Sequence, residues 1–396
     1  MRTMSLLVLR EVGVSGMIAL VAGMCAALMS WGYLVWLGTR KPVVGKRRAG
    51  PSPEPAVDVI VATYNEAARI EDKVANLRGL RYPRERLRFW IVDGASSDGT
   101  ADIAVRCVRD DPRFTILREH PDKTAQVNAA LARCAAPWIF VTDADARLHP
   151  ATLTTLLEVA AADESVGAVG VAVCPAESCH WLERVHWRIS NRVRQLEGLA
   201  GCASLVTAPG YLVRRELVAR LPADVEADDV HVALTAGLSG CRVGFADTPV
   251  VELRAPRTLP ELFGHKLRKT RGYLREIFRF LPALPRMPET ARAVFAWRAL
   301  QLIVLPWTAA LAAGALLLTA AGAPAAALAA AGMGVAAALL VGAGAGAGGA
   351  RAALGALALA LFLVPVCMAA LVVYPFARRT ACFPRVGAGR REEARR

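Results

Sequence analysis

Three kinds of hydrophobic pattern follow one another along the chain. Residues 12–37 form an apolar run without a charge, long enough to cross a hydrocarbon core of roughly 30 Å with some tilt. The run exceeds the apolar region of a signal peptide, and no small-residue cleavage site follows it. Residues 56–280 then carry short β-branched runs separated by amphipathic stretches, the pattern of strands alternating with helices. After residue 298 the chain turns apolar again, with candidate spans at 299–321, 325–350 and 352–376 and Pro324 between the first two. The middle candidate is rich in Ala and Gly, which suit close helix packing but insert weakly. Three spans place the Arg-rich tail outside and two keep it inside; hydropathy favours three.

Within the central region three runs share one design. "VDVIVATYNE" (57–66), "RFWIVDGASSDGT" (88–100) and "PWIFVTDADARL" (137–148) each end an apolar strand in a turn that bears carboxylates. Helical stretches at 67–80, 100–109 and 124–135 lie between and around them. Such an order predicts right-handed crossovers and a mostly parallel α/β sheet. Ligands of open sheets of this kind bind off the carboxyl ends of the strands, the edge to which the runs bring Glu66, Asp93, Asp143 and Asp145. Asp98 reads as a helix N-cap. Asp143 and Asp145, at i and i+2 on a strand end, point the same way. They suit a hard divalent ion, Mg²⁺ or Mn²⁺, that takes the rest of its shell from diphosphate and water. Lys123, just before a helix and between the second and third strand-end acids, can neutralise phosphate oxygens as a point charge. The chain has no G-x-x-x-x-G-K-[ST] and no G-x-G-x-x-G, which disfavours a Walker-type NTPase and a dinucleotide dehydrogenase.

Farther along, Glu226, Asp228 and Asp229 open a helical pattern at Val230, Leu234 and Leu238. One acid complements the helix dipole. Three together point to a carboxyl with a raised pKa that serves as a general base. The stretch from Arg254 to Arg279 is strongly basic, with Arg268 and Arg271 on one helix face. It reads either as a solvated or lipid-facing helix or, in part, as a stabiliser of pyrophosphate. Residues 181–196 alternate apolar side chains with Arg184, Arg188, Arg192 and Arg194. That pattern fits a helix lying on an anionic bilayer or one packed into a core. The Pro-rich "FLPALPRMPE" (280–289) is the expected connector into the C-terminal spans.

Composition and charge narrow the class. Hydrophobic residues make up 55% of the 396 positions and charged residues 21%, which excludes disorder, collagen and a small disulfide scaffold. The net charge of +14 is unevenly placed. Residues 56–290 hold 31 of the 48 Lys+Arg and 30 of the 34 Asp+Glu, so the flanks keep 17 basic against 4 acidic residues. A nucleic-acid binder would place its excess on the folded domain. Here it borders apolar runs, as membrane topology and anionic lipid require. Arg40, Lys41, Lys46, Arg47 and Arg48 follow the first span, so the positive-inside bias puts residue 40 onward in the cytoplasm. Trp31, Tyr33 and Trp36 mark that end of the span. Nine cysteines include no C-x-x-C pair, and Cys174 and Cys179 lack the clustered partners of a zinc site. They read as free thiols of a reducing compartment. A transporter is disfavoured, because Arg351 is the one charge between the C-terminal spans.

Together these motifs resemble the membrane-bound family-2 glycosyltransferases with a GT-A fold, over roughly residues 55–275. The resemblance matches Tyr64 and Glu66 of "VATYNE" to the first nucleotide-contacting segment and Asp93 to the acid that reads the base. The second acid common there is Gly94 in this chain. It further matches Lys123 to the phosphate side and Asp143 and Asp145 to the D-x-D that holds metal and diphosphate. "GYLVRRE", with Gly210 and Tyr211, resembles the acceptor-side segment, and Asp228-Asp229 stands where the family has Glu-Asp, which makes Asp229 the implied base. Where processive synthases show Q-x-x-R-W, this chain has His265-Lys266-Leu267-Arg268-Lys269. Arg268 keeps its place on the donor side and His265 falls on the acceptor side. The missing Trp favours transfer of one or a few sugars over long-chain synthesis.

The implied enzyme is a metal-dependent, inverting hexosyl-type transferase of cell-envelope glycan assembly. Its implied donor is a nucleotide sugar, with UDP-sugar favoured, and its acceptor a membrane lipid, a lipid-linked molecule or a glycan; nucleic acid is not an expected partner. The expected layout is a transmembrane helix (1–40), a basic, Pro-rich linker (41–55), a cytoplasmic GT-A domain (56–280), an interfacial connector (281–298), two or three transmembrane helices (299–377) and a basic tail (378–396). The implied location is a bacterial plasma (inner) membrane. A processive synthase that extrudes its product and a catalytically silent membrane scaffold are the competing readings.

Overall fold

The computed structural model describes residues 14–19, 21–26, 28–43, 54–322 and 350–376. Contacts divide the chain into two units. One holds Lys41–His265 and Gly272–Phe295, the other Met1–Arg40, Lys266–Arg271 and Ala296–Pro375.

The first unit is an α/β domain on one eight-stranded sheet. Its strands are β1 (Val57–Thr63), β2 (Leu87–Asp93), β3 (Phe114–Arg118), β4 (Trp138–Asp143), β5 (Ala146–Leu148), β6 (Val166–Pro175), β7 (Tyr211–Arg214) and β8 (Arg242–Glu252). Their order across the sheet is β3-β2-β1-β4-β7-β6-β8-β5. β1 pairs in parallel with β2 and β4, β2 with β3, and β6 with β8. β7 is antiparallel to β4 and β6, and β5 to β8. The sheet is therefore mostly parallel, as the alternating pattern predicts. β1 shows why: Val57, Val59, Ile60 and Val61 are all buried, as in a strand covered on both faces. Asp58 in the same strand is also buried, and its carboxylate is met by Trp90 Nε1 (2.9 Å) and by the Ala135 and Ala136 amides (2.8 Å each). Those donors replace its hydration.

The chain steps from β1 outward to β3 and then returns to the other flank of β1 as β4. That reversal leaves a crevice off the carboxyl ends of β1 and β4, where open α/β sheets bind their ligands. The helices of this unit, numbered after an apolar N-terminal helix α1 (Val14–Thr39), are α2 (Ile70–Arg78), α3 (Thr100–Val108), α4 (Lys123–Leu131), α5 (Thr152–Ala161), α6 (Trp181–Leu199), α7 (Asp228–Leu238) and both ends of α8 (Leu259–Phe280), whose Lys266–Arg271 group with the other unit. Of the four arginines of α6 only Arg194 takes the core-packed reading; Arg184 and Arg188 are exposed and Arg192 is half-buried. Arg194 is fully buried and donates to Val171 O (2.8 Å), and Arg184 binds Cys179 O (2.8 Å). Glu183, Trp187 and Glu197 are buried along the same helix. Eight cysteines fall among the described residues, and all are free thiols.

In the second unit α1 and the helix Ala350–Val373 (α11) carry stretches, Val14–Thr39 and Leu354–Phe376, long and apolar enough to cross a membrane. A third candidate is the pair α9 (Glu289–Ile303) and α10 (Leu305–Gly322), bent by 42°. Tyr33 of α1 is buried against Trp297 of α9, ring centroids 5.7 Å apart. Gln301 donates to Met29 O (3.2 Å) and Thr319 to Ser15 Oγ (3.2 Å), polar links that hold apolar helices together. The expected span at 325–350 lies, but for Ala350, outside the described residues. So do the tail at 378–396 and linker positions 44–53.

Candidate active site

Parallel strand geometry sets the donor edge. Asp143 ends β4, and Asp145 follows two residues later; both are half-buried while Ala144 between them turns into the core. Lys123 is the first residue of α4, whose N-cap Asp122 accepts from the Ala125 amide (3.0 Å). From there its Nζ reaches Asp143 Oδ1 (2.9 Å) and Asp228 Oδ1 (3.1 Å). Asp228 Oδ2 in turn accepts from the Tyr211 hydroxyl (2.8 Å). One ammonium thus joins β4, α4 and α7, with β7 one bond farther. Burial alone would lower the Lys123 pKa, but Asp143 and Asp228 outweigh it and push it above its usual value. The Asp143 carboxyl moves up, driven first by burial. Lys123 opposes the rise, and Asp145 and Asp228 add to it.

The second half of the cluster is placed by long-range bonds. Thr124 Oγ1 donates to Val225 O (2.7 Å), and Asn128 exchanges two 2.8 Å bonds with Leu221. α4 thereby anchors the loop that leads into α7. Asp228 and Asp229 occupy the first turn of α7, where the helix dipole favours negative charge. Asp229 is buried, and its Oδ1 accepts from the Val230 amide (3.0 Å). His231 of α7 meets Glu276 of α8 (2.8 Å), and in the loop before α7 Glu226 meets Arg275 (2.9 Å) and Asp224 meets Arg279 (2.5 Å). Thr207 has φ +80°, a left-handed conformation costly for a β-branched residue. It precedes Gly210, where a Cβ would come within 3.3 Å of the Phe140 ring.

Glu66 and Asp93 extend the edge along β1 and β2. Asp93 is buried and accepts from the Ser96 amide (2.9 Å). Reciprocal bonds stitch the two tips together: Asn65 N to Ser96 Oγ (2.7 Å), Ser97 N to Asn65 Oδ1 (2.9 Å) and Glu66 N to Thr100 Oγ1 (2.7 Å). Asp98 is not the N-cap expected of it: that position is Gly99, in a left-handed conformation and without a side-chain cap, while Asp98 one residue earlier accepts from the Thr100 amide (3.1 Å) and from the Ala67 amide of the neighbouring tip (3.1 Å). Tyr64 is half-buried at the tip of β1.

Lys123, Asp143, Tyr211 and Asp228 are therefore in direct contact, and Asp145 and Asp229 act on that group through their charge. His265 is buried on α8. Arg268 falls in Lys266–Arg271, which groups with the apolar helices.

Two residues here escaped the sequence reading. Lys73 is 3% exposed and donates to Thr142 Oγ1 (3.0 Å) and Ala146 O (2.7 Å), the residues that bracket the D-x-D. Burial lowers its pKa to about 7, against the pull of Asp143 and Asp145. Its signal was the buried stripe Ile70-Lys73-Val74-Leu77 of α2, a lysine at an inward position. Arg254, just past β8, pairs with Glu66 (2.8 Å); only its membership of the basic stretch marked it.

The donor set suits a hard divalent ion. Among the described residues no group of three or more His, Cys, Asp or Glu side chains forms a cage. An ion held by one or two carboxylates and completed by diphosphate oxygens needs none. Burial first, and then the neighbouring Asp145 and Asp228, raise the Asp143 pKa, and added positive charge at this edge would offset that rise.

Comparison with known proteins gives these features a context. Residues 58–221 match the family described as Glycosyl transferase family 2. An N-acetylglucosaminyltransferase of Rhizobium meliloti (strain 1021) is 27% identical over 264 residues, 61% of this chain and 61% of that protein. A poly-beta-1,6-N-acetyl-D-glucosamine synthase of Staphylococcus aureus (strain COL) is 22% identical over 224 residues, 54% of each chain. The match thus spans less than two thirds of these relatives' length. A solved mannosyltransferase, PcManGT from Pyrobaculum calidifontis, in complex with GDP-Man and Mn²⁺, superposes with a TM-score of 0.71 at 24% identity, covering 92% of this chain and 100% of that one. That likeness establishes the GT-A type of fold.

Proposed function

From the glycosyltransferase family 2 domain that this chain carries, we propose an inverting enzyme that moves a sugar from a nucleotide-sugar donor to a membrane-associated acceptor. The observation that carries the reading is Lys123 held between Asp143 and Asp228. It joins the phosphate end of a donor site to the head of α7. Tyr64, Glu66 and Asp93 bind the nucleoside, and Lys123 takes charge from the diphosphate. Asp145 and Asp143 are the residues to hold Mg²⁺ or Mn²⁺, which when bound would draw charge off the departing diphosphate.

Asp229 is the general base. Both oxygens of its neighbour Asp228 are engaged, by Lys123 and by Tyr211, so Asp228 serves as a positioning group. Asp229 removes the proton of an acceptor hydroxyl. That oxygen attacks the anomeric carbon opposite the leaving group and inverts it. Gly210, Tyr211, Asp228 and His265 line the acceptor side. The apolar helices and the basic flanks support an integral protein of a bacterial plasma membrane with this domain in the cytoplasm; a UDP-sugar donor and a lipid-linked or glycan acceptor complete the proposal.

The named S. aureus synthase favours a second reading, processive synthesis; the Leu267-Arg268-Lys269 sequence without Trp weighs against it, and product length separates the two. The test is a screen of the purified protein in detergent, with Mg²⁺ or Mn²⁺, against a panel of nucleotide sugars. Metal-dependent release of nucleotide from at least one donor is expected. No release from any donor, with lipid acceptors supplied, overturns the assignment.

A further inference from the structure

α6 has two faces of opposite character. One carries Leu182, Glu183, Trp187, Val193, Arg194 and Glu197, all buried. Asn191 locks the helix to the sheet by exchanging two bonds with Val173 of β6 (2.9 and 3.1 Å). On the other face Trp181, Arg184, Arg188, Arg192, Gln195 and Leu199 recur at intervals of three or four residues. That spacing makes a single stripe along the helix. Trp181 is 46% exposed and Leu199 47%; Arg184 and Arg188 are exposed, and Arg192 is half-buried. The stripe carries no acid, because the two acids of α6, Glu183 and Glu197, lie on the buried face.

A helix face that is merely solvated interleaves charges of both signs. An anionic plane answers both the unopposed basic charge and the apolar ends of this one. Trp and Leu bury their apolar bodies at the boundary between headgroups and acyl chains, and arginine stems lie along it while their heads meet phosphates. Arg184 bonds Glu177 O and Cys179 O through Nη1, which leaves donors of its fork for a phosphate. The chain supplies a tether. Val43 N donates to Leu199 O (3.0 Å), and Val43 is itself 49% exposed. Val43 follows the apolar stretch Val14–Thr39 by four residues, with Arg40 and Lys41 on the way. The Leu199 end of the stripe is thus bonded to the segment that leaves that stretch.

We propose that the outward face of α6 docks on the anionic headgroup plane of a phospholipid bilayer. Arg184, Arg188 and Arg192 meet lipid phosphates, and Trp181 and Leu199 sink below them at either end. The inference rests on the reading of the apolar helices as membrane spans and not on the chemistry assigned to the sheet edge.

The test is hydroxyl-radical footprinting of the full chain, read residue by residue by mass spectrometry. It is run in uncharged detergent, in nanodiscs of phosphatidylcholine, and in nanodiscs of equal parts phosphatidylcholine and phosphatidylglycerol. Oxidation of Trp181 is expected to fall about fivefold from the neutral to the mixed discs, the factor that one arginine contributes at an anionic surface. Salt at about 1 M, where the screening length is about 3 Å, removes that protection. Arg188→Gln combined with Arg192→Gln removes it too, and Arg188→Lys combined with Arg192→Lys keeps it. Trp138, half-buried on β4, is oxidised to the same extent throughout, which reports that each variant is folded. Equal oxidation of Trp181 in detergent and in both discs overturns the proposal, and so does equal protection in the two discs. Protection by heparin in detergent, with none in the mixed discs, assigns the stripe to an acidic macromolecule and overturns it as well. Failure of the wild-type chain to enter discs overturns the membrane reading itself.

Discussion

The two halves of the sheet bring their functional groups to one point by different means. In the β3-β2-β1-β4 half, each acid sits at or just past the end of a parallel strand, and strand geometry sets its direction. In the β7-β6-β8 half, Tyr211 and Asp228 reach the same point through Lys123, through the Thr124 and Asn128 clamps on the preceding loop, and through the contact of His231 on α7 with Glu276 on α8. The first arrangement is local and visible in sequence. The second exists only once the chain has closed, and that difference orders the ways the account can fail.

The largest expected effect falls on the residue that joins the halves. Lys123→Met leaves Asp143 and Asp228 facing each other without a cation, and removing one partner of a buried pair costs about 3–5 kcal/mol. Thermal unfolding should register that loss together with failing donor binding. A variant of unchanged stability would show that the halves are joined by something else.

Asp145→Ala confines the damage to the strand-tip half. Turnover should fall by roughly 10²–10³, the scale of removing one stabiliser of transition-state charge, and Mn²⁺ should no longer strengthen donor binding. Normal Mn²⁺-dependent binding would contradict the assignment of Asp145.

A smaller effect comes from Lys73 under the D-x-D. Its pKa is about 7 in the folded protein against about 10.4 for an unfolded lysine. Between those values the unfolded chain binds the extra proton. The Lys73 contribution to stability is therefore full above the unfolded value and is lost as pH falls toward 7, at roughly 1 kcal/mol per pH unit. The unfolding free energy of the wild-type protein minus that of Lys73→Met should thus rise from pH 7 to pH 9. A flat difference would show that the lysine does not titrate in this range.

The same contrast explains what was legible in the sequence. Glu66, Asp93, Asp143 and Asp145 were readable because an apolar run with a polar end fixes both the strand and the place of the acid. Asp228-Asp229 at a helix start were readable for the same reason. Lys73 was hidden because a lysine on an amphipathic helix ordinarily faces water, and only the bonds to Thr142 and Ala146 explain its burial. The arginines of α6 followed a bilayer pattern in sequence, yet Arg194 found a carbonyl on β6 instead, since burial with a partner satisfies a guanidinium as well as a headgroup does.

The most direct measurement is the turnover and donor affinity of Asp229→Asn, with the donor identified by nucleotide release. The account predicts a rate lower by about 10²–10⁴, as for loss of a general base, with nucleotide binding retained. Unchanged turnover would contradict it.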